Sequence, residues 1–259
     1  MLPHLWVLAW SFLQSFCRGY ELSNAIDPTQ LMFHSNPAQM GMPPFALKPL
    51  KRPTSQVKGV QYAGNVGNPY GSNIIEVSAE AANLYKYVVR FEAPSIGQRW
   101  TVAIWNNFAP DGRLGGWRGN ACRTFTLERG QFRYIAFDDD SQGGWAAAPG
   151  LSVPVDGDGR YTATWGEFNF GSKINFGRSA FVVSTIATEM MGLEVQGMRI
   201  CDVHSDTCSS VSPRGAAVHN AYTSTTVGNG KGGGTILPGP VRLAVIIGYG
   251  GFPLPENRS

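Results

Sequence analysis

The sequence predicts an all-β fold, a β-sandwich with one short helix and long loops, and three observations carry that prediction. Gly at 32 and Pro at 17 of 259 residues, with only 15% charged residues, describe many short strands joined by turns. Gly supplies positive φ and Pro presets turn geometry. A hydrophobic content of 43% suffices for a real core and excludes a chain disordered throughout. Short β-type runs recur with turn signals between them, as in a sandwich or barrel.

The first segment, residues 1–19, carries an apolar run from Leu5 to Phe16, the length of a signal-peptide core and too short to span a bilayer. It reads as a signal peptide, so the product is expected to be secreted and extracellular. No later segment approaches the length of a membrane span, so no membrane attachment is expected after leader removal. Residues 20–59 contain Pro28, Pro37, Pro43, Pro44, Pro49 and Pro53 without sustained periodicity, which is linker or propeptide composition. The ordered domain is expected over residues 60–252, from Val60 to Phe252, with residues 253–259 as a tail.

Within the domain, the turn-rich Gly64 to Asn73 leads into a strand over Asn73 to Val77. Ser78 can cap a short helix from Ala79 to Tyr85, with Glu80 near its positive end. Strands then follow over Lys86 to Phe91, Trp100 to Trp105, Cys122 to Glu128, Phe132 to Phe137, Tyr161 to Phe170, Ala180 to Ile186, Glu194 to Ile200 and Val241 to Tyr249. Asp111-Gly112, Gly115-Gly116, Asp156-Gly157 and Asp158-Gly159 mark turns. A second helix is read over Arg214 to Tyr222, and Gly228 to Thr235 as a surface loop. That loop is no phosphate cradle, because Lys231 is followed by Gly232 where a P-loop needs Ser or Thr.

A formal charge of +3 falls to about +2 (20 basic, 18 acidic) once a leader containing Arg18 is removed, too little for nucleic-acid binding. Of the cysteines beyond the leader, Cys201 and Cys208 enclose a short polar loop, and an oxidising compartment makes a disulfide the default. A metal reading through His204 lacks a fourth ligand, so neither metal nor cofactor is expected. Cys122 is left as a small buried apolar residue.

Candidate chemistry gathers on four acids. Asp138, Asp139 and Asp140 crowd the end of a strand, while Glu167 stands alone within an aromatic strand. By alternation Glu167 shares a face with Trp165, away from Phe168 and Phe170, as a cleft floor would require. Glycoside hydrolysis needs two carboxylates flanking a sugar, which Glu167 and one of the aspartates could supply. The alternatives are a solvated strand-end turn and an exposed acid on the polar face of a sheet. Trp105, Trp117, Trp145 and Trp165 beside Gly-rich turns suit stacking on sugar faces, with Trp145, Trp165 and Glu167 as candidate ligand contacts, although sandwich tryptophans also fill cores. No G-x-S-x-G, HxH or HExxH is present, which disfavours those hydrolases.

GNVGNPYGSNIIEVS, WTVAIWNNFAPDGRLGGWRGN, AFDDDSQGGWAAAPG, TWGEFNFGSKIN, EVQGMRIC and LPGPVRLAV, in order from Gly64 to Tyr249, resemble the Asp f four type of secreted fungal allergen. The resemblance implies a secreted protein bound by host IgE, with no settled enzymatic activity, and supports the Cys201–Cys208 pair. More remotely, WGEF followed by V-S-x-I is similar to the thaumatin-like sandwich, whose acid-lined cleft is associated with glucan binding or hydrolysis. There Glu167 matches the cleft acid, but Val182 stands where an Asp would be expected. The expectation is therefore a non-enzymatic wall or host-surface interactor, with β-glucan binding or hydrolysis in an acidic cleft as the alternative.

Overall fold

The computed structural model describes residues 62–94, 97–226 and 232–250. The signal peptide at 1–19, the Pro-rich segment at 20–59, the domain ends at Val60 and Phe252, and the tail at 253–259 lie outside the described residues.

Thirteen strands in the described residues form two packed sheets. They are β1 (Ile74–Val77), β2 (Tyr87–Glu92), β3 (Trp100–Asn106), β4 (Ala121–Leu127), β5 (Phe132–Phe137), β6 (Ser141–Pro149), β7 (Thr164–Ser172), β8 (Arg178–Ser184), β9 (Met198–Asp202), β10 (Cys208–Val211), β11 (Val218–His219), β12 (Gly234–Ile236) and β13 (Val241–Ile247). The seven-stranded sheet has the order β1-β5-β2-β13-β9-β10-β11 and the six-stranded sheet β12-β8-β7-β6-β3-β4. Every pair is antiparallel except β2 with β13.

The core lies between the sheets, because alternate residues of each strand face inward. Phe91, Phe137, Trp145, Phe168 and Phe170 stack there with the aliphatic residues of β2, β9 and β13. The outer face of the six-stranded sheet is also covered. Trp105, Tyr161 and Trp165 pack on it beneath the loop that carries Gly115 and Gly116. Both faces of β7 are thus buried along its whole length.

The stretch read as Tyr161 to Phe170 is displaced: β7 runs Thr164–Ser172 and lies inside its sheet, between β6 and β8. The expected helix from Ala79 to Tyr85 is a single 3-10 turn, Ala82–Leu84, although Ser78 Oγ does accept the Ala81 amide at 3.2 Å. A run this short gains too few intrahelical hydrogen bonds to offset nucleation. The expected helix over Arg214 to Tyr222 is instead a 3-10 turn, Pro213–Gly215, followed by β11. Helix α1 (Ile186–Met190), which the sequence did not suggest, packs against β7. Of the Gly-rich segment, residues 228–231 lie outside the described residues, and Gly234–Ile236 is β12, paired with β8.

Candidate functional site

Glu167 sits mid-way along β7, opposite Gly144 of β6 and Val182 of β8. Its side chain points to the outer face, as alternation requires, yet only 3% of the residue is exposed. It is neither a cleft floor open to solvent nor an exposed acid on a polar face, because residues from far downstream cover it. Tyr222, Val182 and Ile186 form a small buried cluster there, with Met190 against it. Gly233 comes so close to β8 that a Cβ on it would lie 2.2 Å from the Phe181 carbonyl oxygen and 2.8 Å from Val182 Cβ. With φ at +77°, the position suits glycine on both counts.

The space left above Glu167 is lined by Glu167, Asn169, Ala180, Val182, Gly232 and Gly234 among others. It holds about 20 Å³, enough for a water and far below the volume of a sugar site. The Ser184 hydroxyl hydrogen-bonds to the carboxyl, while Oε2 has no partner among the described residues. Burial pushes the Glu167 carboxyl up to about 8, only partly offset by Ser184. The Tyr222 hydroxyl also lacks a partner among the described residues, and burial, with the Glu167 charge adding to it, drives this phenol far above its ordinary range.

The three aspartates do not join it. Register pairs Ser141 with Phe170 and Gly144 with Glu167. Asp140 is therefore four positions along from the residue opposite Glu167, about 13 Å at 3.3 Å per residue. Paired glycosidase carboxylates stand roughly 5 to 9.5 Å apart. Each aspartate also has a separate structural environment. Asp138 is exposed at the strand end. Asp139 accepts from Lys86 Nζ and the Tyr87 hydroxyl, each at 2.7 Å, and Lys86 holds its carboxyl below the usual range. Asp140 is buried with φ at +67°, accepts the Lys173 amide at 3.0 Å and the Tyr62 hydroxyl, and pairs with Lys173 Nζ at 3.7 Å.

The tryptophans divide just as clearly. Trp145 is fully buried between the sheets and Trp165 is 6% exposed beneath Gly116, so neither ring offers a face to a sugar. Trp105 is likewise buried. Trp117 is half-exposed, with the Arg113 and Arg160 guanidinium groups 5.2 Å and 4.8 Å from its ring. It is the one member of the four that a polymer could reach, and its place in a Gly-flanked turn was the signal for it.

Cys201 and Cys208 form the expected disulfide across β9 and β10. Among the described residues Cys122 has no disulfide partner; it is half-buried against Tyr70 and Gly71, where burial raises its thiol above the ordinary value. Among the described residues no group of three or more His, Cys, Asp or Glu could hold a metal ion, and no helix is long and apolar enough to cross a membrane.

A family model described as the Allergen Asp f 4-like domain matches residues 72–247. Allergen Asp f 4 of Aspergillus fumigatus is 49% identical over 191 residues, covering 74% of this chain and 59% of that protein, so the match spans little more than half of the relative's length. A crystal structure of IP-1A from Alcaligenes faecalis aligns with 65% of this chain and 98% of its own at 7% identity and a TM-score of 0.25, too slight a likeness to carry weight. The family match begins two residues before β1 and ends on the last residue of β13, so it takes in every strand of both sheets. This chain belongs to the Asp f 4-like allergen family.

Proposed function

We propose that this chain is a secreted fungal protein, bound by the IgE of sensitised hosts, that works outside the cell as a non-enzymatic wall or host-surface interactor. The match of the whole sandwich to an allergen family carries this reading. Secretion accords with a disulfide, which persists in oxidising compartments. Hydrolysis lacks its second carboxylate, since Glu167 lies buried and apart from Asp138, Asp139 and Asp140. Contact with wall polysaccharide falls to Trp117, with the Arg113 and Arg160 guanidinium groups beside its ring, because Trp117 alone among the candidate stacking residues reaches the surface.

The test is a pull-down of the secreted protein on insoluble β-glucan, chitin and plant wall, with released sugars assayed and IgE from Aspergillus-sensitised sera blotted in parallel. Wild type and Glu167→Gln are expected to be retained alike and to release no sugar, Trp117→Ala to lose retention, and all three to react with IgE. Sugar release that disappears in Glu167→Gln would overturn the reading in favour of a hydrolase.

A further inference from the structure

The disulfide lies on the outer face of the seven-stranded sheet, where Arg199, Cys201, Cys208 and Ser210 alternate with the buried Met198, Ile200, Ser209 and Val211. Cys201 and Cys208 are both half-exposed and stand directly opposite one another in the β9–β10 register. Arg199 sits beside them. Its Nε is 3.1 Å from Cys201 Sγ and its Nη2 is 3.5 Å from Cys208 Sγ, and its guanidinium lies 5.6 Å from the Tyr249 ring.

Among the described residues, Arg199 takes part in no salt bridge. In register it faces Ile246 of β13 and Ser210 of β10, neither of which carries charge. With no carboxylate partner among the described residues, the guanidinium directs two of its nitrogens at sulfur. An intact disulfide is uncharged and gains little from that contact, whereas a thiolate gains a great deal, because an adjacent cation lowers thiol pKa and makes a better leaving group.

The hairpin does not depend on the covalent link alone. Four register pairs join β9 to β10. In the turn, Asp202 accepts the Ser205 hydroxyl at 2.8 Å and the His204 amide at 3.3 Å, and its own amide donates to the Thr207 carbonyl at 3.0 Å. The bond closes a loop with a sequence separation of only 7, so it removes less entropy from the unfolded chain than a long-range bridge would.

We infer that Cys201–Cys208 is a thiol–disulfide exchange site, opened in the folded protein by small thiols of the glutathione class, with Arg199 stabilising the thiolate that departs. A thiolate attacks Cys208 Sγ, the sulfur farther from the guanidinium. The Cys201–Cys208 bond breaks and its electron pair passes to Cys201 Sγ, which leaves as a thiolate beside Arg199 Nε. A second thiolate attacks the thiol-derived sulfur of the mixed disulfide, releasing the oxidised thiol and a Cys208 thiolate. Two thiols are oxidised to one disulfide and the protein takes up two electrons, and both cysteine thiolates accept protons from water.

The test uses the chain carrying Cys17→Ser and Cys122→Ser, so that of its four cysteines only Cys201 and Cys208 can report. The protein is incubated with reduced glutathione, quenched with an alkylating agent and weighed, while near-UV circular dichroism follows the fold. Two alkylated thiols are expected to appear with the spectrum retained, at a rate about tenfold lower in Arg199→Leu, with Arg199→Lys closer to the parent. The alkylation rate of the reduced protein should titrate at lower pH in the parent than in Arg199→Leu. Thiols that appear only after unfolding in urea, or equal rates in the parent and Arg199→Leu, would overturn the assignment. Should Arg199→Leu fail to fold, the pH profiles of the parent and Arg199→Lys decide it: an ordinary cysteine profile in both refutes the role of Arg199.

Discussion

A carboxyl taken out of water with no cation beside it favours its neutral form, and among the described residues Glu167 is such a group. Its folded value of about 8 stands above the ordinary 4.5. Between those values the unfolded chain gives up the proton while the folded one keeps it, so the folded state binds more protons and stability falls as pH rises. The slope is about 1.4 kcal/mol per pH unit across that window, with a total of a few kcal/mol. Below the window both states are protonated, so the full contribution is present there. Glu167→Gln removes the titrating group, and urea midpoints at pH 5 and pH 8 should converge in the variant while the wild type loses stability at the higher pH. A wild-type midpoint that does not fall would show the carboxyl to be solvated or paired. The sequence made the face of Glu167 legible, because alternation is a local property. Its burial was not legible, because Tyr222, Gly232 and Gly234 come to it only through the tertiary fold.

Strand β6 separates what pattern can reveal from what packing imposes. The runs rich in β-branched and aromatic residues, such as those of β2, β5 and β13, were legible because their side chains favour a pleated surface. SQGGWAAAP lacks that signature and draws no strand assignment from pattern, yet it is a nine-residue strand in the middle of its sheet. Its glycines are required by the close approach of Trp105, backbone and ring. A Cβ on Gly143 would lie 2.0 Å from the Trp105 carbonyl oxygen, and one on Gly144 3.0 Å from the Trp105 ring. Across the ladder, Gly166 of β7 faces Trp145, and a Cβ there would stand 2.3 Å from the indole. Gly166→Ala should therefore force the buried ring off its position and cost about 2 kcal/mol, within the usual range for overpacking. Chemical denaturation measures it, and a variant as stable as wild type would mean that Trp145 has room to move. Helix α1 escaped notice for a related reason. Five residues carry no periodic signal, and the Thr185 hydroxyl, Ser224 amide and packing on β7 that hold Glu189 and its turn are contacts outside the helix.

Either one missing acid or the closure of the outer face decides against hydrolysis. Val182 lies directly across from Glu167, so Val182→Asp would place two carboxyls on neighbouring strands with Cβ atoms about 5 Å apart, near the spacing of a retaining pair. If the missing acid were the obstacle, this substitution would create activity on β-glucan. Yet Val182 is buried beneath Gly233 and packed with Tyr222 and Ile186, and the space beside it admits a water, not a sugar ring. Asp at 182 would share that enclosure with Glu167, so the two could not both ionise, and a further polar group would be buried with little compensation. Val182→Asp is expected to lose about 3 kcal/mol in denaturant melts and to release no reducing sugar from β-glucan. Sugar release would show that the cover lifts to admit a polymer. A stable but inactive variant would show that the interior can hydrate the second acid. The expected pairing of lost stability with no activity assigns the outcome to the cover, because two correctly spaced acids do no chemistry on a substrate that cannot reach them.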